Sequence, residues 1–183
     1  MTRRGKLIVL SGPGGVGKST IVSELKKKDR FYFSVSATTR HPRDGEIDGV
    51  AYHFISSREF QQMIDENIFL EWADFAGARY GTPRKPVLDA LHAGKDVLLE
   101  IEIEGARQVK AEMPDALMVF LQPPSMAELE ARITNRGTDS PERIASRLAL
   151  ARAEMAAAQE FDHILTNHRV EEVIDSLVSL AAH

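Results

Sequence analysis

The stretch KLIVLSGPGGVGKSTIVSELKK, residues 6–27, sets the strongest limit on the fold. An unbroken apolar run this short suits a strand covered on both faces, and the amphipathic segment after the glycines suits a helix. Gly12, Gly17, Lys18 and Ser19 satisfy G-x-x-x-x-G-K-[ST] in the required strand-to-helix setting. The loop Gly12, Pro13, Gly14, Gly15, Val16 and Gly17 can turn backbone N–H groups toward phosphate oxygens, and a helix N-terminus opening at Lys18, Ser19 and Thr20 adds positive potential. Lys18 then reaches the β and γ phosphates and the Ser19 hydroxyl is a Mg²⁺ ligand. The motif points to a bound triphosphate without saying what becomes of it: a GTPase-like switch, an ATP-driven motor or a kinase all use it.

Three further apolar runs have the same character: DVLLEIE at 96–102, ALMVFLQ at 116–122 and HILTN at 163–167. Helical segments lie between and after them, at 18–28, 83–93, 125–135, 140–160 and 170–182. Strand alternating with helix predicts an α/β fold, a doubly wound parallel sheet. Residues 33–82 break the rhythm with FSVSATT, VAYHFI and IFLEWADF and a helix opened by SSREFQQMI, which reads as a small inserted region with its own β-structure. A chain of 183 residues accommodates one such unit. The predicted division is a core at 1–33, 89–124 and 159–183, an inserted region at 34–88, and a helical lid with its flanks at 125–158.

The net charge of −4 gives no overall attraction to nucleic acid or to an anionic membrane, so a phosphate ligand has to be caught by local arginines. No cysteine is present, which excludes disulfides and thiolate zinc sites. The apolar run Leu7–Leu10 is too short for a signal-peptide core, and no stretch approaches the roughly 20 apolar residues of a membrane span. The expectation is a soluble, cytoplasmic protein with small-molecule substrates, no nucleic acid or membrane partner and no obligatory protein partner.

FSVSATTRHPRDGE, residues 33–46, is the second unusual stretch. Arg40 and Arg43, three residues apart on an irregular loop, can converge on one phosphate, with Ser36, Thr38 and Thr39 as neutral donors. The bland reading is a solvated loop whose arginines pair with Asp44, Glu46 and Asp48.

SGPGGVGKST, FSVSATTRHPRDGEIDGVAYHF, FLEWADFAGARYGTP, LLEIEIEGARQVK, VFLQPPS and NRGTDSPERIASRLALARAEM occur in an order and spacing that resembles the guanylate kinases over essentially the whole chain. The resemblance implies a P-loop nucleoside monophosphate kinase fold and the reaction ATP + GMP → ADP + GDP, with dGMP a second acceptor. It implies that Arg40, Arg43, Tyr52 and Tyr80 hold the GMP phosphate, that Ser36, Glu71 and Thr82 meet the guanine with Glu102 at a position resembling a guanine contact, and that Gly81 belongs to the GMP site. A carboxylate can accept from both guanine N1–H and the 2-amino group, whereas adenine would leave it unpaired. Read from its neighbours alone, Glu71 beside Trp72 is an exposed strand carboxylate. The family's usual Asp-x-Asp is replaced by Glu100 and Glu102; Glu100, at a strand end next to the glycine loop, is the candidate to organise Mg²⁺ through water.

Arg132, Arg136, Arg143, Arg147 and Arg152 crowd one segment and read mostly as a solvated face. The resemblance implies that Arg132, Arg136 and Arg147 belong to a lid over the ATP phosphates, with Lys18, Arg43, Arg136 and Arg147 assisting transfer, and that Asn167 lies near the adenine. Two alternatives differ in class: a P-loop kinase for a phosphorylated sugar, which needs no base pocket, and a non-catalytic binding module, which would carry a degraded P-loop or lid.

Overall fold

The computed structural model describes residues 3–135, 137 and 139–183. β1 (Leu7–Ser11) and α1 (Lys18–Lys27) lead into a mixed region of β2 (Ala37–Thr38), β3 (His53–Phe54), α2 (Ser57–Asp65), β4 (Phe69–Phe75) and β5 (Ala78–Pro83). The chain returns through α3 (Arg84–His92), β6 (Val97–Glu100), α4 (Ile103–Glu112), β7 (Leu117–Gln122), α5 (Met126–Thr134) and α6 (Pro141–Ala156). A 3-10 turn at Ala157–Glu160, β8 (His163–Thr166) and α7 (Val170–Ala182) complete it.

The four apolar runs assemble into one parallel sheet in the order β6-β1-β7-β8. Successive side chains of a strand point to opposite faces, and both faces of β6, β1 and β7 are covered here, while the edge strand β8 leaves Ile164 exposed. Ile8, Leu10, Leu98, Val119 and Leu121 pack on one side with Ile21 and Leu25 of α1 and Val173, Ile174 and Leu177 of α7. Leu7, Val9, Val97, Leu99 and Met118 pack on the other with Val87 and Leu91 of α3 and Ala106 and Val109 of α4. That two-sided burial is why these strands lack alternation, and it gives the doubly wound architecture.

A second sheet runs β3-β2-β5-β4, with β2 and β3 parallel and the remaining pairs antiparallel. Its small core is aromatic: Phe60 of α2 lies 4.6 Å from Phe69, ring centre to ring centre, beside Trp72. The start of α2 follows its sequence signal, since Ser56 and Glu59 form a reciprocal capping box. Ser140 likewise caps α6 by accepting from Arg143 N, with Pro141 at the first helical position.

Three expectations need correction. The strand expected over 96–102 stops at Glu100, and Glu102 is the N-cap of α4, a helix that the sequence reading left out. The segment ARYGTP forms β5, also unforeseen. The helix expected over 140–160 ends at Ala156 and tightens into the 3-10 turn. Among the described residues, no helix is long and apolar enough to cross a membrane.

Candidate functional site

The carboxyl ends of β1, β6 and β8 open on one side of the parallel sheet, the usual place for ligands in doubly wound folds. Here β1 delivers the glycine loop. A Cβ on Gly12 would lie 2.3 Å from Leu121 O, so only glycine allows the loop to leave the sheet at that point. Gly17, the N-cap of α1, has φ 104°, a left-handed conformation that other residues adopt only with strain. Lys18 follows, 9% exposed, its Nζ donating to Gly12 O. Ser19 and Thr20 are exposed in the first turn of α1.

The loop is braced from far along the chain. Val16 O accepts from Asn167 Nδ2 at 2.9 Å and from Arg132 Nη1 at 3.2 Å. Asn167 is 5% exposed, so its amide supports the loop from beneath. Gly15 packs under Ile133 and Leu129 of α5. Arg147 Nη1 donates to Asp139 Oδ2 at 2.6 Å, with Arg143 3.9 Å from the same carboxylate. Arg136 lies outside the described residues.

The second cluster lines a cavity of about 220 Å³ between the small sheet and the end of β6. Arg40, Arg43, Tyr52 and Tyr80 stand at this cavity, as do Ser36, Glu71, Gly81, Glu100 and Glu102. Ala73, Phe75 and Ile101 share the lining; nothing in their sequence surroundings marks them, because apolar residues in a mixed segment read as ordinary strand positions. Thr82 sits behind the wall, fully buried, its hydroxyl donating to Glu71 Oε1 at 2.6 Å. Of the three hydroxyls expected to help hold an anion, only Ser36 reaches the cavity. Thr38 Oγ1 donates to Arg79 O and Thr39 Oγ1 accepts from Arg79 N, so both are committed to β5.

Arg40 forks Glu46 through two 3.0 Å hydrogen bonds and lies 5.4 Å from the Tyr52 ring centre. Glu46 also accepts from Arg43 N at 2.8 Å, and these contacts hold its carboxyl down to about 2. The loop's internal ion pair is therefore real, and it fixes the guanidinium at the cavity wall. Arg43 extends an exposed guanidinium into the same space.

Glu71 is not the exposed carboxylate its neighbours suggest: it is 6% exposed. Burial pushes its carboxyl up to about 7, with the Thr82 hydrogen bond opposing and the nearby Glu102 charge adding. Glu100, paired in register with Leu10 of β1, opens to the cleft. The protein packed around its carboxyl raises its pKa, the Lys18 ammonium opposes this, and Glu102 reinforces it. The cavity thus brings two arginines and three carboxyl groups together, with Glu102 close enough to act on both Glu71 and Glu100, and Glu100 close enough to act on Tyr52. It suits a ligand with an anionic end and a donor-rich end.

The guanylate kinase family model matches residues 4–183. A guanylate kinase of Thermobifida fusca is 58% identical over 178 residues, covering 97% of this chain and 91% of that protein. One of Streptomyces coelicolor is 54% identical, covering 97% and 90%. The crystal structure of guanylate kinase from Anaplasma phagocytophilum superposes with a TM-score of 0.80 at 30% identity, covering 99% of this chain and 86% of that one.

Proposed function

The chain belongs to the guanylate kinase family and is an ATP:GMP phosphotransferase, and from that premise we propose how its residues divide the work. The glycine loop with Lys18, Ser19 and Thr20 takes the ATP phosphates, and Arg132, Arg136, Arg147 and Asn167 form or support that side. Arg40, Arg43, Tyr52 and Tyr80 take the GMP phosphate, while Ser36, Glu71, Gly81, Thr82 and Glu102 take the guanine. The observation that carries this reading is the single cavity lined by both arginines and carboxyl groups, one of which, Glu100, is close enough to feel the charge of Lys18 at the end of the glycine loop.

In the reaction an oxygen of the GMP phosphate attacks the γ-phosphorus, the new P–O bond forms as the bond to the β-phosphate oxygen breaks, and ADP leaves. The acceptor is itself the nucleophile, so no phosphoenzyme forms. What the chain contributes is in-line positioning and positive charge over the migrating group. Lys18 supplies a desolvated ammonium at the donor phosphates, and Arg43 aligns the acceptor. The region 34–88 and the lid 125–158 close on the core 1–33, 89–124 and 159–183, which keeps water from taking the phosphoryl group. dGMP serves as a second acceptor, since no proposed contact needs the 2′-hydroxyl. The enzyme works in the cytoplasm.

The donor set near Lys18 fits Mg²⁺. Among the described residues no cluster of three His, Cys, Asp or Glu could cage an ion, whereas the Ser19 hydroxyl and the Glu100 carboxylate are hard oxygen ligands beside the phosphate loop. Ser19 would hold the ion directly and Glu100 through water, with the nucleotide completing the shell. When bound, the ion neutralises charge on the phosphates.

The test is ADP formation with ATP, Mg²⁺ and each of GMP, dGMP, AMP, CMP and UMP. Turnover is expected with the guanine nucleotides alone, and turnover with none of the five would overturn the reading. Arg43→Ala is expected to raise KM for GMP about 100-fold, the loss of a charge-assisted pair of hydrogen bonds of about 3 kcal/mol.

A pH profile gives a second check. Guanine offers donors, so it selects ionised Glu71; with that carboxyl titrating near 7 in the free enzyme, binding GMP releases a proton. KM for GMP should fall about tenfold per unit from pH 5 to 7 and level off above. The GMP phosphate itself titrates near 6, so the profile is read against Glu71→Gln, which should keep only the phosphate's contribution.

A further inference from the structure

Helix α4 contributes Glu102 to the cavity, but its next turns carry two residues to which no role has yet been given. Gly105 is in the first turn. Its backbone is not in the left-handed region, so no conformational reason demands glycine, and glycine inside a helix is unfavourable relative to alanine. The reason is space: a Cβ there would lie 2.2 Å from Glu71 Oε2 and 3.0 Å from Glu71 Cδ.

Gln108 follows three residues later. Its Oε1 accepts from Trp72 N at 3.0 Å and its Nε2 donates to Trp72 O at 2.7 Å. The side-chain amide thus pairs with the peptide next to Glu71 as a neighbouring strand would. On the strand's other side Glu71 pairs with Thr82, just past a register irregularity between Phe69 and Glu71. Glu71 is therefore fixed from three directions. Thr82 holds Oε1, Gln108 holds the adjoining backbone, and the missing Cβ of Gly105 leaves the space that Oε2 occupies.

We propose that Gly105 is a specificity-determining residue and Gln108 a positioning residue for the purine 2-amino group, both acting through the orientation of the Glu71 carboxylate. The proposal rests on the assignment of Glu71 to the guanine. Accepting from N1–H and from the 2-amino group together requires both carboxylate oxygens in the plane of the base. Thr82 fixes one oxygen, and the space at Gly105 sets the rotation that brings the other into plane. A methyl group at 105 turns the carboxylate about its Thr82 anchor and leaves one acceptor in place. A base with the 2-amino group then loses its advantage over one without it.

The probe is IMP, which has guanine's N1–H and O6 but no 2-amino group. In Gly105→Ala the GMP:IMP ratio of kcat/KM should fall at least tenfold, with KM for GMP rising much more than kcat falls. Glu71→Asp withdraws the carboxylate by one methylene, so its penalty in the Gly105→Ala background should be less than half, on a logarithmic scale, of its penalty alone. An unchanged ratio in a folded Gly105→Ala, or additive penalties, would overturn the proposal.

Should Gly105→Ala fail to fold, Gln108→Ala decides. Gln108 is only part-buried, and its loss should lower the GMP:IMP ratio at least threefold; an unchanged ratio there overturns the role of α4. Failure of the underlying assignment has a different signature, because wild-type enzyme would then use AMP as well as GMP and Glu71→Gln would leave GMP turnover intact. That outcome also overturns the proposal.

Discussion

Lys18→Met is expected to lower kcat about 1000-fold while the melting temperature stays within a few degrees of wild type. Single well-placed charges or donors over a transferring group are worth about 10²–10⁵ in rate, and the burial of Lys18 puts its ammonium where water screens it least. Methionine keeps an unbranched stem one atom shorter, so it fits the buried position at the start of α1 without the charge. The native ammonium already bears the penalty of a buried charge with Gly12 O as its hydrogen-bond partner, so removing the charge does not weaken the fold. Rate and stability should therefore separate. Single-turnover kinetics with saturating ATP and GMP, run beside thermal unfolding, measure both; a rate loss below tenfold would remove Lys18 from the chemistry. Glu100 provides an internal witness. The Lys18 charge opposes the upward push on its carboxyl, and in Lys18→Met that carboxyl should titrate higher still.

Glu71→Gln should lower kcat/KM for GMP by about 10²–10³-fold, since an amide nitrogen now faces guanine donors and a buried polar site is left mismatched. Its effect on stability has the opposite sign. The carboxyl titrates near 7 when folded, against an ordinary 4.5. Between those values the folded state binds more protons than the unfolded one, so stability falls as pH rises. Below about 4.5 the group costs nothing; above about 7 it costs about 3 kcal/mol at ~1.4 kcal/mol per unit. Glutamine has no such dependence. Urea titrations at pH 5 and pH 8 should show the variant gaining on wild type by up to that amount at the higher pH. A wild type that gains relative to the variant at pH 8 would mean that Glu71 is held ionised by partners, contrary to its burial. On the proposed assignment of Glu71 to the guanine, its carboxyl is kept at a cost in fold stability.

How much of this was legible in the sequence depends on how far apart the cooperating residues lie. The glycine loop was readable because its parts sit within eight positions and its strand and helix flank it directly. β1, β6 and β7 were readable because two-sided burial writes itself as uninterrupted apolar residues; β8 carries a similar short run at the sheet edge although Ile164 is exposed. β5 was not: ARYGTP carries no apolar alternation, and its conformation comes from antiparallel pairing with β4. α4 was hidden in the same way, since EIEIEG continues the strand's apolar rhythm past its real end and only Ala106 and Val109 mark the helix's face to the main core.

Side-chain roles follow the same rule. The pairing of Arg40 with Glu46, six positions away, stood among the local alternatives. The grip of Asn167 on Val16 spans 151 positions, and no local pattern announces it. The resemblance to guanylate kinases located the cavity residues, but it said nothing of the hydroxyls of Thr38 and Thr39 being bound to Arg79, nor of the space that Gly105 keeps clear.

The order β3-β2-β5-β4 has one further consequence. β4 is the strand bolted to the core, through Leu70 in the cluster beneath α3 and α4 and through the Gln108 clasp on Trp72. β2 and β3, which flank the arginine loop, lie at the far margin. Glu71, Thr82 and Glu102, assigned to the base, thus stand on elements next to that attachment, whereas Arg40 and Arg43, assigned to the phosphate, stand on the loop farthest from it. In the closure proposed above that loop would travel farthest and the base-reading carboxyls least. On that reading, substitutions in α4 would fall on selectivity and substitutions in the loop between β2 and β3 on turnover.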